Sequence, residues 1–402
     1  MKITIVGDIM CEPLLIRAAK RKEGYDFSPL FHDFKTIVGE SDYVIGNLET
    51  VMAGKEERYC NDLYSFNAPD DFARAIKEAG IDLVTIANNH CLDRGIKGLA
   101  RTIQVLENTG IAHCGAGKKG MDRIARFEIQ GTRFTIVGGT YGTNYKRDGG
   151  ITPETIEENV SLLRAPDALS FRSLANKQIP TVKDRAVRKA TRILCRMGLP
   201  KWKLQELYGM AGYGKTVPYR DNYQNEEDVL NQYYHSVLID LEKARETSDI
   251  VIFYPHAGGQ FNEIPGTFSE YVIREAAKTG NCDIILASHA HVIQEFREIS
   301  GIPCFFSLGN YSMSPNSYYI PNKKDTSTGL AVHVYISKQK IIRVTCSILS
   351  ISEDRKSMMK VKPLRSEEAV YPNVKEYVLH RLQAEKGMVK QVNDHELLIW
   401  ES

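Results

Sequence analysis

The sequence predicts an α/β protein with a layered, largely buried sheet. Strand-like apolar runs alternate with helical segments over residues 1–142, and this alternation is typical of βαβ units. Five apolar runs end in short polar motifs, at the strand ends where open α/β sheets place their ligand sites. The 402-residue chain is long enough for one large domain with an insertion, or for two domains.

The alternation starts at the N-terminus. The strand-like KITIVGD precedes the helical PLLIRAAKRK, DYVIGNLE follows, and the helical PDDFARAIKEAG leads to IDLVTIANNH. In IKGLARTIQVLENTG, apolar residues recur at helical spacing and Gly110 supplies a helix stop. The strand-like FTIVGGT comes next.

The alternation breaks between about residues 141 and 227. Residues 176–206 are rich in Lys and Arg, with apolar residues at helical spacing, so we predict an insertion with at least one amphipathic basic helix. Such a helix usually packs one face on its domain; binding to a polyanionic substrate or a membrane surface is the alternative. The P-loop pattern Gly209–Thr216 is rejected as a nucleotide site, because a helical segment enters it and Pro218 interrupts the helix that should follow.

After residue 228 the alternation resumes. Two helix–strand pairs are followed by two strands joined at Ser300-Gly301 and by an antiparallel pair in GLAVHVYISKQKIIRVTCSILSI. The chain therefore divides into three predicted parts. These are a core of residues 1–142 and 228–350, a helical basic insertion of residues 143–227, and a C-terminal extension of residues 351–402 with a helix.

Composition bears on location and partners. The net charge of +2 gives no reason to expect nucleic acid as a partner. We find no signal-peptide pattern and no apolar run long enough to cross a bilayer, so the sequence predicts no transmembrane segment and a cytoplasmic location. The sequence leaves the oligomeric state unknown.

The five polar motifs together predict a metal site. They supply Asp, Glu, Asn and His, and imidazole with carboxylate suits Mn, Fe or Zn rather than a structural calcium cage. The motifs are Gly7-Asp8, Gly46-Asn47-Leu48-Glu49, Asn88-Asn89-His90, His256 in YPHAGGQF, and Ser288-His289-Ala290-His291.

Taken singly, each acidic residue also fits a purely structural role. A carboxylate that follows an apolar run is paired, hydrogen-bonded or bound to metal, but Asp8 and Glu49 also fit the N-cap of a helix. Asp93 fits either a helix cap or a group that orients His90.

The later motifs leave similar alternatives. His289 and His291 would project to the same side of an extended backbone, which suits shared chelation. His256 ends another apolar run, and the glycines after it permit close approach of the backbone. Asn310 in FFSLGN is placed to donate to the site, although a role in a turn explains it equally well.

The motifs GDIM, GNLET, ANNHCLDRG, HAGGQF, HAHVIQ and FSLGN, in this order, resemble those of the CapA family. Members of that family are associated with capsule and poly-γ-glutamate synthesis and have a metallophosphatase-like fold. The resemblance covers about residues 1–142 and 228–316. It implies a layered β-sandwich of two facing sheets flanked by helices, with a centre for one or two divalent ions.

The resemblance also implies roles for individual residues. His90 is expected to donate a proton or stabilise charge, with Asn88 and Asp93 in support, while Gln260 and Asn310 contact substrate. The implied metal shell comprises Asp8, Glu49, Asn89, His256, His289 and His291.

The chain departs from the family pattern at several positions. Met10 stands where metallophosphatases usually have a His, so one of two metal positions is expected to be weak or empty. Gln260 replaces a frequent Glu, Ala290 replaces a Pro, and the Arg that often follows the GD motif has no counterpart. Many members are membrane-anchored, and we predict no such anchor here.

Three functions remain open. The first is a metal-dependent hydrolase or transferase that acts on a phosphoester, or on an amide of a glutamyl-type or other peptide, in capsule or polymer synthesis. The second is a non-catalytic component whose basic insertion grips an anionic polymer or a partner enzyme. The third is metal-assisted proton abstraction on a peptide, as in an epimerase. The first is favoured, because a scaffold has no need for a pocket rich in His and Asn.

Overall fold

The computed structural model describes residues 1–59, 65–144, 151–175, 182–199, 204, 207, 215–354, 358–383 and 389–402. Within these residues the chain forms two β-sheets and twelve α-helices. The strands are β1 (Lys2–Ile9), β2 (Tyr43–Leu48), β3 (Leu83–Thr85), β4 (Ala112–Cys114), β5 (Ala125–Ile129), β6 (Thr132–Thr140), β7 (Ile250–His256), β8 (Ile284–Leu286), β9 (Phe296–Ile299), β10 (Ile302–Phe305), β11 (Asn310–Ser312), β12 (Thr328–Ser337), β13 (Lys340–Glu353), β14 (Met359–Pro363), β15 (Lys390–Gln391) and β16 (Glu396–Glu401). The helices are α1 (Pro13–Ala19), α2 (Ser28–Phe31), α3 (Lys35–Val38), α4 (Asp70–Glu78), α5 (Gly95–Thr109), α6 (Pro153–Asn159), α7 (Phe171–Ala175), α8 (Val182–Arg196), α9 (Gln232–Thr247), α10 (Thr267–Thr279), α11 (Lys323–Thr326) and α12 (Tyr371–Arg381).

The first sheet has the strand order β15-β16-β13-β12-β1-β2-β3-β4. Strands β1 to β4 are parallel, whereas β12, β13 and β16 pair antiparallel. Strand β11 adds in parallel to the end of β1, and β14 pairs with β13. The carboxyl ends of β1, β2, β3 and β11 therefore share one edge of the sheet.

The second sheet has the order β5-β6-β7-β8-β10-β9. Its central strands are parallel and its edge strands β5 and β9 are antiparallel. Ser300 and Gly301 form the turn between β9 and β10, and β12 pairs antiparallel with β13, so both predicted strand pairs are confirmed.

The two sheets face each other across a shared apolar core. Ile3 and Ile5 of β1 lie in one cluster with Ile250 and Ile252 of β7. Helices α1 to α5 cover the other face of the first sheet, and α9 and α10 cover the second. Fully burying each such aliphatic side chain contributes about 1.5–3 kcal/mol. These four layers confirm the predicted metallophosphatase-like α/β class.

Close backbone contact fixes the end of β1. A Cβ atom on Gly7 would lie 2.0 Å from the carbonyl oxygen of Gly309, so only glycine lets β11 approach β1 here. The Asp8 backbone N–H donates to that same carbonyl. The side chain of Asp8 is thereby held at the shared edge of the sheet.

The predicted basic helix of the insertion is present as α8. Residues 209–214 of the P-loop pattern lie outside the described residues, and residues 215–223 after it are not helical, as Pro218 predicts. In the C-terminal segment, α12 is the predicted helix, and β16 joins the first sheet beside β13. The boundaries of the three parts stay a prediction. Among the described residues, none of the helices has the length and apolar character needed to cross a membrane.

Candidate metal centre

The ends of β1, β2 and β11 bring three polar side chains together. Parallel pairing places Asp8 between Asn47 of β2 and Asn310 of β11. Asn47 Nδ2 donates to Asp8 Oδ1 at 2.7 Å, and the backbone N–H of His289 donates to Asp8 Oδ2 at 3.1 Å. Asp8 is fully buried, so these bonds hold an acceptor that water does not reach.

Glu49, just after β2, lies among the histidines. Its Oε1 lies 3.6 Å from His256 Nε2, 3.8 Å from His291 Nε2 and 3.9 Å from His90 Nε2. The carboxylate is fully buried, and within the described part of the chain neither oxygen has a hydrogen-bond partner. Helix α1 begins only at Pro13 and the next helical turn after Glu49 at Lys55, so an N-cap role explains neither carboxylate.

Three buried histidines come from two adjacent strand ends of the second sheet. His256 ends β7, and its Nε2 lies 2.8 Å from Asn89 Oδ1 and 3.1 Å from His289 Nδ1. The expected extended backbone between His289 and His291 is wrong, because these residues have φ angles of 108° and 57°. Non-glycine residues at positive φ are strained, and such strain clusters at functional sites. The resulting turn directs both rings to the same cluster.

The turn after β3 supplies the next group. His90 Nδ1 and Asp93 Oδ2 are 2.7 Å apart, and Asp93 also accepts from the backbone N–H of Phe66 at 2.6 Å. Asn88 Nδ2 donates to the carbonyl of Leu48 at 2.8 Å, and its Oδ1 accepts from the His90 N–H. Of the two roles left open for Asp93, the contact with His90 is the one present.

Two overlapping groups of side chains have the spacing of metal ligands. Glu49, His256 and His289 form one, and Asp8, Glu49 and His291 form the other; within each, one ligand atom per residue lies within 4.8 Å of the others. Glu49 belongs to both. The two oxygens of Glu49 and Nε2 of His289 are buried polar atoms without hydrogen-bond partners in the described structure, and a bound cation would satisfy all three.

The electrostatics of the cluster also fit a cation. Burial raises the pKa of Glu49 well above its ordinary value, and the Asp8, Asp93 and Glu12 carboxylates raise it further. Burial lowers the pKa of His256 and His289 well below the ordinary value, and neighbouring histidines add to the effect. Their imidazoles are therefore neutral, which is the form that binds metal. A divalent ion would offset the repulsion between the two carboxylates.

The remaining predicted positions are also located. Asn310 is buried, its Oδ1 lies 3.0 Å from His291 Nδ1, and its Nδ2 donates to the His291 carbonyl, so it holds His291 in place. Gln260 is partly exposed on the loop after β7, where its carbonyl accepts from Tyr219. Substrate contact by either residue stays a prediction. Met10 belongs to the apolar cluster under helices α1 to α5.

Two residues of the cluster are absent from the sequence-based set. Asn47 Oδ1 accepts from Thr85 Oγ1 at 3.0 Å and from Asn88 Nδ2 at 3.2 Å, so Asn47 links Asp8 to both neighbouring strands. The Tyr141 ring lies 4.6 Å from the His289 ring. Asn47 lies within the GNLE motif, whereas Tyr141, which directly follows the strand β6, lies in none of the five motifs.

The fold and the cluster define a class: layered α/β proteins with a buried acid–histidine centre at the strand ends. Residues 2–314 match the model of the family described as bacterial capsule synthesis protein PGA_cap. The chain belongs to this family, as the motif resemblance predicted.

Individual relatives are distant in sequence. The capsule biosynthesis protein CapA of Bacillus anthracis is 25% identical over 316 residues, covering 77% of this chain and 59% of the relative. The PGA biosynthesis protein CapA of Bacillus subtilis (strain 168) is 20% identical over 312 residues, covering 77% and 63%. This chain thus spans about three-fifths of the length of these relatives. The crystal structure of a hypothetical protein from Thermus thermophilus aligns over 87% of this chain and 99% of its own, with a TM-score of 0.42 and 13% identity.

Because the pKa of Glu49 is raised, we predict that wild type and Glu49→Gln differ in stability when a chelator keeps them metal-free, and that this difference depends on pH. The folded metal-free protein retains a proton that the unfolded chain releases above about pH 4.5, so the Glu49 contribution to stability falls as pH rises. The lowered pKa values of His256 and His289 make stability fall as pH drops below about 6.5. Wild type and Glu49→Gln share this effect, so it does not contribute to the difference between them. Glu49→Gln should therefore stabilise the metal-free protein at neutral pH by about 1–3 kcal/mol.

Urea unfolding in EDTA across pH measures this difference. The gain should shrink toward zero as pH falls to about 4.5, and Glu78→Gln, an exposed position on α4, serves as the matched control. A Glu49→Gln protein that is no more stable than wild type at any pH contradicts the electrostatic account.

Proposed function

We propose that this protein is a metal-dependent hydrolase or transferase, acting on a phosphoester or on an amide of a glutamyl-type or other peptide in capsule or polymer synthesis. The observation that carries the proposal is the pair of possible ligand groups that share Glu49, whose buried oxygens have no hydrogen-bond partner among the residues that the structure describes. Membership of a capsule synthesis family supports the biological setting. The proposed cofactor is one or two divalent ions of Mn, Fe or Zn.

The ligand set fits a cation that does chemistry. Asp8, Glu49, Asn89, His256, His289 and His291 are the proposed ligands. An ion held there would polarise a phosphoryl or carbonyl oxygen and activate an attacking water. Burial lowers the pKa of His256 and His289, which favours the neutral imidazole that binds metal. Hydrogen bonds from Asn47 Nδ2 and the His289 N–H hold the Asp8 carboxylate in place. Such preorganised groups need no rearrangement when charge develops.

His90 is the proposed proton donor. It is 5% exposed, whereas Glu49 and His289 are fully buried, so it is among the less buried groups of the cluster. Its Nε2 lies 3.9 Å from Oε1 of Glu49, so His90 is next to a proposed metal ligand. Asp93 at Nδ1 and Phe66, whose ring centroid is 4.5 Å from that of His90, hold the imidazole in one orientation. A positioned imidazole of this kind protonates a leaving group or stabilises charge on it.

Activity assays with one metal at a time and several classes of substrate test the proposed function. Purified protein is stripped with chelator, reloaded separately with Mn²⁺, Fe²⁺ or Zn²⁺, and supplied with phosphoesters, γ-glutamyl peptides and α-peptides. We expect turnover of one substrate class, lost in EDTA and restored by at least one of the metals.

Other results would overturn this assignment. Salt-sensitive binding to poly-glutamate without turnover under any metal identifies a non-catalytic component. Uptake of solvent deuterium without bond cleavage identifies an epimerase.

A further inference from the structure

Helix α8 and the residues that follow it to Leu199 contain none of the residues of the candidate metal centre. We call residues 182–199 the basic helix segment. Its sequence, VKDRAVRKATRILCRMGL, holds six Lys and Arg residues and one acidic residue. The wider stretch 176–206 carries nine basic and two acidic residues in a chain whose net charge is only +2. The charge is therefore concentrated in this one region.

Helical spacing separates charged from apolar side chains. Lys189, Arg192 and Arg196 are three and four residues apart and share one face. Ala186, Ala190, Ile193 and Met197 recur at the same spacing on the adjacent face. The segment is thus amphipathic, with basic residues beside the apolar face.

The apolar face of the segment is exposed. Ile193 is 49% exposed, Met197 is 72% exposed and Leu199 is 38% exposed. Ala186 and Ala190 are exposed as well. Val187, Thr191, Leu194 and Cys195, on another face of the same helix, are only partly exposed. The helix is therefore partly covered on that face, while the face with Ile193 and Met197 is left exposed. Exposed apolar side chains next to a concentration of basic charge indicate an interaction surface.

We propose that the basic helix segment lies on the surface of a bilayer that contains anionic lipid. Lys189, Arg192 and Arg196 would meet the lipid phosphates while Ile193 and Met197 enter the boundary of the acyl chains. A dissolved polyanion such as poly-glutamate would use the charges but give the exposed apolar side chains no apolar surroundings, which is why a lipid surface is favoured. The segment is amphipathic rather than uniformly apolar, as expected of a helix that lies on a membrane.

Vesicle flotation of the 402-residue chain tests the proposal. The probes are vesicles of phosphatidylcholine alone and vesicles with added phosphatidylglycerol. Wild type should float only with the anionic vesicles, and raised salt should weaken the binding. Lys189→Glu/Arg192→Glu/Arg196→Glu should weaken it by at least about a hundredfold, from about fivefold for each of the three charges removed. The matched control Lys22→Glu/Lys97→Glu/Lys118→Glu makes the same charge change at exposed positions elsewhere and should bind as wild type does.

An apolar variant separates a lipid surface from a polyanion. Ile193→Ser/Met197→Ser keeps every charge and should still weaken vesicle binding by about tenfold. Circular dichroism and metal content confirm that each variant is folded. Wild type that ignores anionic vesicles, or an apolar variant that binds them as wild type does, overturns the proposal. Wild type that binds poly-glutamate or a second copy of the chain through this segment, but does not bind vesicles, also overturns the proposal.

Discussion

We expect Glu49→Gln to weaken metal binding at both halves of the proposed metal centre at once. Glu49 is the one residue common to the two ligand groups, and its oxygens have no other partner among the described residues. Removing one partner of a buried charge interaction costs about 3–5 kcal/mol, so metal affinity should fall by about two to four orders of magnitude at both positions. Turnover should fall with it. Calorimetric titration of the stripped protein with Mn²⁺ or Zn²⁺ measures the affinity.

Two further variants separate the shared carboxylate from the unshared ligands. Asp8 belongs only to the group with His291, and His289 only to the group with His256. If two ions bind, Asp8→Asn and His289→Ala should each weaken one binding step and spare the other. Glu78→Gln on the surface should bind as wild type does. A Glu49→Gln protein that still binds metal tightly contradicts the central place of this residue.

His90→Ala should abolish catalysis while leaving metal bound. The His90 side chain belongs to neither ligand group, yet it lies beside Glu49 with its Nδ1 fixed by Asp93. Loss of a positioned acid or charge stabiliser lowers kcat by about 10²–10⁴-fold. Metal content measured on the same sample should equal that of wild type. Asp93→Asn should lower kcat less, because the imidazole remains and only its Nδ1 partner is altered.

His235→Ala is the control for this pair of variants. His235 is an exposed histidine on α9, and its removal should change neither metal content nor kcat. Full activity in His90→Ala would remove His90 from the mechanism. Loss of metal in that variant would instead place His90 among the ligands.

The layered fold follows from local patterns in the sequence. Apolar runs such as KITIVGD form β1, and Gly110 ends α5 in a left-handed conformation with a φ of 73°. Pairing between segments that are distant in the chain is harder to predict from the sequence. Strand β11 has three residues, and its parallel pairing with β1 depends on the close approach of Gly7 and Gly309, which no local pattern reveals.

Those residues of the candidate site that lie at the ends of strands could be predicted from the sequence. The strand-end motifs named the members of both ligand groups, because parallel strands deliver their carboxyl ends to one edge. Asn47 stands in the GNLE motif but was given no role of its own, because its links to Asp8 and Thr85 are known only from the folded structure. The positive φ of His289 was missed because a non-glycine residue adopts it only when the surrounding structure imposes it.

An anomalous difference map from crystals soaked in Mn²⁺ tests the central claim most directly. The account predicts a peak among Asp8, Glu49, His256, His289 and His291, with Glu49 as a ligand and metal–ligand distances of about 2.0–2.3 Å. A second peak sharing Glu49 would establish two ions. A map with no peak inside this cluster, or with peaks only on surface side chains, would contradict the account.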